Sequence, residues 1–260
     1  MKALRRYEKI MEMLLARKEV TVAELSERLG VTGKTIREDL ARLEEKGLLV
    51  RVHGGAVLAQ SDQYGILSTK EPLQRHIAEK AEIAERAIRL IEPNDIIALD
   101  GGSTTLEIAR RLDNAPLTVV TNDVHIIAEL ARKDEIRLVV PGGYRVRNLL
   151  AGPEAVSFLK KLNIQKAFLS ATGVHPEYGL TIYTGELVAL KRALLESSRV
   201  AYAVADHHKF GRYGLLTFAR LTELEAILTD GGISPDTVAE YRRAGVRVIC
   251  GDEPETDRQA

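Results

Sequence analysis

Gly30-Val31-Thr32-Gly33-Lys34-Thr35-Ile36-Arg37-Glu38-Asp39-Leu40 reads as a glycine turn, a hydroxyl residue and the opening of a helix. Ile36, Leu40 and Leu43 recur at i, i+4 and i+7, so this helix has one apolar stripe and turns Gly33, Lys34, Arg37, Glu38 and Ala41 outward. Just upstream, Thr21-Val22-Ala23-Glu24 has the spacing of a capping box: the Thr21 oxygen on the third backbone N–H, the Glu24 carboxylate reaching back. Leu25 and Leu29 give that helix its buried stripe, and Gly30 ends it. An earlier helix is expected over about residues 5–16, with Ile10, Met11, Met13 and Leu14 on or near one face. Two helices joined by a short turn containing glycine are the outline of a helix-turn-helix.

Gly47 is expected to stop the third helix. After it, residues 48–58 form two short apolar runs around Gly54-Gly55, a hairpin signal. Three helices and a small hairpin make a winged helix-turn-helix over residues 1–58. Residues 59–75 lack periodicity and read as a linker, and residues 253–260 read as a polar tail. Between them, residues 76–252 alternate helices with short apolar strands. Strands are expected at 96–99, 117–120, 137–140, 166–169, 200–204, 227–229 and 247–249. Helices are expected at 76–91, 104–112, 124–132, 153–162, 185–196 and 235–244. The class is α/β, with a Rossmann-like, mostly parallel sheet covered by helices.

Bulk properties agree. The 37 Lys/Arg balance the 37 Asp/Glu, yet residues 1–58 carry twelve of the former and nine of the latter, a mild local excess of positive charge. A single cysteine, Cys250, excludes a disulfide framework or a cysteine-rich zinc site within the chain. No apolar run approaches the ~18 residues of a membrane span, and no signal-peptide pattern opens the chain. A cytoplasmic protein with no membrane partner and no cofactor or metal is expected.

In a helix-turn-helix, the N-terminal part of the second helix enters the major groove of DNA. That places Thr32, Lys34, Thr35, Arg37 and Glu38 among the candidates. Arg37 can pair bidentately with guanine, Lys34 can reach a guanine or a phosphate, and Thr35 can donate to a phosphate or cap the helix. Glu38 can accept from cytosine N4 or pair with Arg42 one turn on. Arg51 and His53, beside the two wing glycines, can approach the DNA backbone or the minor groove. The competing reading is a solvated face on a small protein-interaction domain. Asp39 is assigned to structure under either reading, because phosphate would repel an outward carboxylate.

In the second half, Ile96–Leu99 leads into Asp100-Gly101-Gly102-Ser103-Thr104-Thr105: a strand, a glycine turn, then hydroxyl residues opening a helix. Such a turn can form an anion site, or simply an N-cap and a tight turn. It is neither a Walker A loop nor a G-x-G-x-x-G fingerprint. Thr121-Asn122, Gly142-Gly143, Gly173 and the Asp206–Lys209 segment also follow strands. In an open parallel sheet, ligands bind beyond the carboxyl ends of the strands. The candidate ligand residues are therefore Asp100, Gly102, Ser103, Thr104, Thr105, Thr121, Asn122, Gly142, Gly143, Gly173, Asp206 and Lys209. Lys209 would supply positive charge to an anionic ligand, and Asp100 or Asp206 would accept from sugar hydroxyls. His207-His208 reads as loop surface.

The pattern Arg6-(three)-Ile10-(three)-Leu14, then Val31–Leu40, then Arg51-Val52-His53-Gly54-Gly55-Ala56, resembles the N-terminus of DeoR-type bacterial regulators. The order Asp100–Thr105, Thr121-Asn122, Gly142-Gly143, Gly152, Gly179-Leu180-Thr181, Glu186, Lys191 and Asp206…Lys209-Phe210-Gly211 resembles that family's effector domain, a domain similar in fold to ribose-5-phosphate isomerase and coenzyme A transferases. The resemblance spans roughly residues 4–230. Two departures are Glu38, where a second basic residue is frequent, and Ser170, where a glycine is common. The resemblance implies a repressor of a carbohydrate-catabolism operon that binds double-stranded operator DNA. It also implies modulation by a phosphorylated sugar or sugar-derived metabolite, and assembly as a homo-oligomer, a dimer or tetramer.

Two rivals follow from the same residues. One is a sugar-phosphate isomerase or coenzyme A transferase fused to a DNA-binding module; the other is a protein-interaction adaptor. The isomerases carry an acid-rich loop where this chain has Leu169-Ser170-Ala171-Thr172-Gly173, without a carboxylate. Glu186, the nearest candidate for a transferase nucleophile, is more simply a capping acid. An anion loop without an acid loop predicts binding without turnover, so no catalytic residue is expected.

Overall fold

The computed structural model describes residues 3–17, 19–45, 48–52, 54–58, 76–146 and 148–251. The expected linker over 59–75, the tail over 253–260, Gly47 and His53 lie outside the described residues. The chain divides into two compact units, Met1–Ser68 and Thr69–Ala260.

The first unit runs α1 (Ala3–Arg17), β1 (Glu19–Thr21), α2 (Val22–Leu29), α3 (Gly33–Glu45), β2 (Leu49–Val52) and β3 (Gly55–Leu58). Ile10, Met11, Leu14, Leu25, Ile36, Leu40 and Leu43 are all but inaccessible and form its core, as the helical spacing requires. Thr21 caps α2 by accepting from the Glu24 N–H at 3.2 Å. The reciprocal half of the expected capping box is replaced: the Glu24 carboxylate pairs with Arg17 at the end of α1. Gly30 takes the left-handed conformation (φ 63°, ψ 37°) and donates to the Ser26 carbonyl, closing α2.

A strand that the sequence pattern did not announce, β1, pairs antiparallel with β3, so the wing sheet has the order β1-β3-β2. Three residues are too few for a periodicity to register. The strand also explains the second wing glycine: a Cβ on Gly55 would lie 2.1 Å from the Val20 carbonyl oxygen. Gly54, at φ 80°, makes the turn itself.

Asp39 is a structural acid. It is buried and accepts from Arg6 Nε at 2.7 Å and Arg6 Nη2 at 2.9 Å, clamping α3 to α1. This pairing also raises the Arg6 guanidinium above its ordinary pKa, against the desolvation that opposes it.

The second unit holds a seven-stranded sheet in the order β15-β14-β12-β9-β4-β5-β6, with every neighbouring pair parallel. Its strands are β4 (Ile96–Leu99), β5 (Leu117–Val120), β6 (Ile136–Val139), β9 (Ile164–Leu169), β12 (Ser198–Val204), β14 (Ala226–Leu228) and β15 (Arg247–Ile249). The strands alternate between two cores. Ile97, Leu99 and Val119 pack against α4 (Ile77–Ile88), α5 (Ser103–Arg111) and α6 (Val124–Leu130). Ala98, Val120, Ala167 and Leu169 pack against α7 (Pro153–Leu159), α8 (Val188–Glu196) and α9 (Pro235–Arg243). Both faces are covered, which is why the strands read as continuous apolar runs.

The chain starts the sheet at β4, builds β5 and β6 to one side, then crosses to lay β9, β12, β14 and β15 on the other. The strand order therefore reverses between β4 and β9, and the carboxyl ends of those two strands flank the crevice. Five short strands were not anticipated. A hairpin pairs β7 (Tyr144–Val146) with β8 (Leu149–Ala151). A separate antiparallel sheet joins β10 (Gly173–His175), β11 (Gly179–Ile182) and β13 (Leu216–Ala219). All four residues of β11 are buried, so it shows no alternation, and its partner β13 lies far along the chain.

Replacing Asp39 by Asn should destabilise the first unit by about 2 kcal/mol, the scale of hydrogen bonds to a charged partner. Urea unfolding with hydrogen exchange at α1 and α3 would measure it. The neighbouring Glu38→Gln, on the exposed face, should stay within about 0.5 kcal/mol. Equal effects of the two would remove the clamp from the account.

Candidate functional site

Two regions carry chemistry. On α3, Lys34, Arg37 and Glu38 are exposed, and none forms an ion pair among the described residues. Thr32 accepts from the Thr35 N–H at 3.3 Å, and the two hydroxyls lie 3.0 Å apart. Thr32 is thus the helix cap, and Thr35 is held against it. No hydrogen bond joins Glu38 to Arg42: the guanidinium donates to the Tyr7 hydroxyl at 3.3 Å and feels the Glu38 charge only at longer range. Glu38 therefore faces outward alongside Lys34 and Arg37.

In the wing, Glu44 accepts from the Arg51 backbone N–H at 2.8 Å and from Arg51 Nε at 2.6 Å. These bonds hold the Glu44 carboxyl below its usual range. Part of the Arg51 guanidinium is thus committed to rooting the wing on α3, which weakens its candidacy as a free DNA contact. His53 lies outside the described residues.

The second region lies at the carboxyl ends of β5, β4 and β9. Asp100, fully buried after β4, accepts on Oδ2 from the Ser170 N–H (2.9 Å), from Ser170 Oγ (3.2 Å) and from Lys191 Nζ. Lys191 sits on α8, only 1% exposed; it also donates to the Ser170 carbonyl at 2.9 Å and lies over the Phe218 ring. Ser170 Oγ is in turn 2.5 Å from the Gly101 carbonyl. A Cβ on Gly102 would fall 2.7 Å from Ser170 Oγ, so this glycine serves close packing of the two loops. The serine that departs from the family pattern is thus the hub joining them.

Four buried polar atoms around these strand ends have no hydrogen-bond partner: Asp100 Oδ1, Thr104 Oγ1, Asn122 Oδ1 and Thr172 Oγ1. Native interiors satisfy nearly all such atoms, so four of them on segments that follow β4, β5 and β9 call for polar partners from outside the chain. The first internal bond of α5 runs from Leu106 N–H to the Gly102 carbonyl, leaving the earlier N–H groups at the helix mouth. Ser103 is half-buried there. Thr105 differs: its hydroxyl donates to the Gly102 carbonyl at 2.9 Å, so it braces the turn.

Cations approach from two further elements. Lys209, in a short 3-10 turn (His207–Lys209) after β12, donates to the Ala171 carbonyl at 2.9 Å. Burial lowers its pKa, with Asp206 opposing and Lys191 adding to the shift. Lys80 on α4 is buried and brought down to about 8, by desolvation first and then by Lys209, against the pull of Asp206. Lys80 was absent from the sequence-based candidates, and Lys191 stood there only within the family resemblance. A lysine inside an amphipathic pattern reads as surface; only the packed helices show that these two point inward.

The remaining candidates divide. Thr121 caps the turn after β5 by accepting from the Asp123 N–H at 3.3 Å. Asn122 donates to the Leu150 carbonyl (2.9 Å) and keeps its oxygen unpartnered. Gly142 and Gly143 (φ 61° and 102°) follow the edge strand β6, two strands from the crossover, and open the β7–β8 hairpin. That hairpin folds back: Leu149 meets Gly101, and Leu150 N–H donates to the Asn122 carbonyl at 2.8 Å. Gly173 is accounted for by packing, since a Cβ there would lie 2.3 Å from the Arg212 carbonyl oxygen.

A helix-turn-helix with a wing, joined to a parallel α/β unit with a cationic crevice, defines a DNA-binding regulator of the two-domain type. The DeoR-like helix-turn-helix domain matches residues 6–62, and the DeoR C terminal sensor domain matches residues 75–231. The chain is 33% identical to the HTH-type transcriptional regulator GlpR of Haloferax volcanii, over 95% of this chain and 97% of that one. It is 34% identical to the lactose phosphotransferase system repressor of Staphylococcus epidermidis, over 86% and 91%. Among solved structures, ribose 5-phosphate isomerase A from Methanocaldococcus jannaschii overlaps half of it, covering 50% of this chain and 53% of that one, at 18% identity and a TM-score of 0.38. The chain belongs to the DeoR family of transcriptional regulators.

Lys191→Met should leave Asp100 buried without its cation and destabilise the second unit by about 3–5 kcal/mol. Lys191→Met combined with Asp100→Leu should recover much of that loss. Chemical unfolding of the four proteins closes the cycle. A double variant no better than the single one would mean that the pair does not act as a unit.

Proposed function

We propose that this protein is a cytoplasmic repressor of a carbohydrate-catabolism operon, whose hold on operator DNA is modulated by a phosphorylated sugar or sugar-derived metabolite. The supporting observation is the crevice at the crossover: four buried polar atoms without partners, beside Lys191, Lys209 and Lys80. Lys191, Lys209 and Lys80 bring positive charge to these strand ends, which suits an anion. The α5 mouth and Ser103 suit its phosphate, while Asp100 Oδ1, Asn122 and Thr172 suit its hydroxyls. The lactose system in the name of one relative points to the same class of metabolite.

The domain holds this ligand without converting it. Proton abstraction beside a carbonyl needs a carboxylate or imidazole free to accept the proton. Asp100, the buried acid at the crossover, is bound by Lys191 and Ser170, Asp206 lies in the field of Lys80 and Lys209, and Glu186 is exposed. On the DNA side, Thr32, Lys34, Thr35, Arg37 and Glu38 form the reading edge, with Arg37 on guanine. A homo-oligomer, dimer or tetramer, supplies paired reading heads for repeated half-sites.

The test is binding to DNA flanking the protein's own gene, with and without a panel of sugar phosphates and the matching free sugars. Release by one phosphorylated sugar, and not by its free sugar, is expected. Lys209→Ala should blunt that release and keep DNA affinity; Arg37→Ala should lower affinity about tenfold or more for the specific site alone. Consumption of a sugar phosphate would overturn the non-enzymatic reading.

Lys80 adds a pH signature. Its ammonium loses its proton near pH 8 in the free protein, well below the ordinary 10.5. A phosphate dianion favours the charged form, so binding between those values takes up a proton, and affinity falls as pH rises through the window. Calorimetry at pH 8.5 in buffers of different ionisation enthalpy should show the uptake, and Lys80→Met should abolish it.

A further inference from the structure

Away from the crevice, three side chains of the second unit meet with the donors of a metal site. His76 is the N-cap of α4, Glu79 lies in its first turn, and His208 comes from the 3-10 turn after β12. His76 Nδ1 lies 3.3 Å from Glu79 Oε1, and His208 Nε2 lies 3.9 Å from the same oxygen. All three donor atoms fall within 4.8 Å of one another. The His76 and His208 rings stand 4.2 Å apart, centre to centre.

Geometry and chemistry select the ion. Bonds of about 2.0–2.1 Å to a tetrahedral centre separate neighbouring ligand atoms by about 3.4 Å, whereas a six-coordinate centre of the same bond length needs about 3.0 Å. The separations of 3.3 Å and 3.9 Å bracket the tetrahedral value. Two imidazoles and one carboxylate suit zinc and disfavour the hard, oxygen-seeking calcium and magnesium. All three side chains are partly exposed, which gives the ion a path in and leaves its fourth position open to water. His207 supports the arrangement: its ring packs 3.8 Å from that of His208, and its Nδ1 is fixed on Asp230 at 2.6 Å.

We propose that His76 Nδ1, Glu79 Oε1 and His208 Nε2 bind one zinc-type dication. The ion ties the start of α4, which carries Lys80, to the turn that carries Asp206 and Lys209. Both elements wall the anion-binding crevice of the proposed function, so occupancy sets how firmly that wall is held. Zinc binding itself does not depend on the identity of the effector.

The test uses the full chain, stripped with chelator and desalted, then titrated with Zn²⁺ against a chromophoric competitor; Co²⁺ serves as the spectroscopic probe. One Zn²⁺ per chain and a four-coordinate Co²⁺ spectrum are expected. His76→Ala with His208→Ala should abolish both, and Glu79→Gln alone should weaken Zn²⁺ about tenfold or more. Circular dichroism should confirm that the variants stay folded, and Glu79→Gln carries the test if the double variant does not. Absence of binding by the wild type, or an unchanged isotherm in the variants, would overturn the site.

Discussion

The second unit is organised around one ion pair, Lys191 with Asp100, buried where the sheet changes direction. β4 and β9 are neighbours in the sheet but belong to its opposite arms, and their loops would otherwise diverge. Asp100 ends β4, Ser170 ends β9, and Lys191 reaches both from α8. A buried pair of this kind contributes little net stability, because desolvation offsets the attraction. Its consequence is positional. With Oδ2 accepting from the Ser170 N–H and from Lys191, Oδ1 is the atom left over, held in place and unpartnered. The strand ends are therefore fixed to one another around an oxygen that the fold itself does not satisfy.

The first unit uses the same device for the opposite end. The fork of Arg6 on Asp39 takes the acid that would face phosphate and turns it inward, fixing α3 on α1. Glu44 on Arg51 then fixes the wing to the far end of α3. Two charged contacts set the attitude of the helix, and Lys34, Arg37 and Glu38 are left with no structural duty. A side chain without an internal partner is free to answer to an external one.

What the sequence made legible follows from periodicity. The seven parallel strands and their helices are apolar on a regular schedule, so their order and class could be read directly. The five short antiparallel strands could not: β7, β8 and β10 are three residues long, too few for an alternation to register, and β11 is buried throughout and pairs with β13, dozens of residues away. The site divided along the same line. Glycine and hydroxyl residues after strands flagged Asp100–Thr105 and Thr121-Asn122, and charged residues after a strand flagged Asp206–Lys209. Lys80 was not flagged, and Lys191 entered only through the family likeness, since a helical lysine shows its direction only once its neighbours are packed. Gly173 erred the other way: a glycine after a strand suggested room for a ligand, where the space is filled by the Arg212 backbone.

The β7–β8 hairpin shows how such a crevice can keep its frame and change its guest. Its attachment is mostly main chain: Leu150 N–H to the Asn122 carbonyl, Val124 N–H to the Asn148 carbonyl, and a bridge between Asp123 and Leu149. Side chains add Asn148 on Asp123 at 2.6 Å and Asn122 on the Leu150 carbonyl. Burial raises the Asp123 carboxyl pKa, while the N–H groups of His125 and Ile126 and the Asn148 amide favour its ionised form. The hairpin's register is thus fixed from below by β5, and Leu149 is pressed onto Gly101. Tyr144 and Arg145 on the outer strand are exposed. The outer strand of the hairpin and the Asp100–Lys191 pair therefore stand on separate supports: the first on the main chain of β5 and its following turn, the second on β9 and α8.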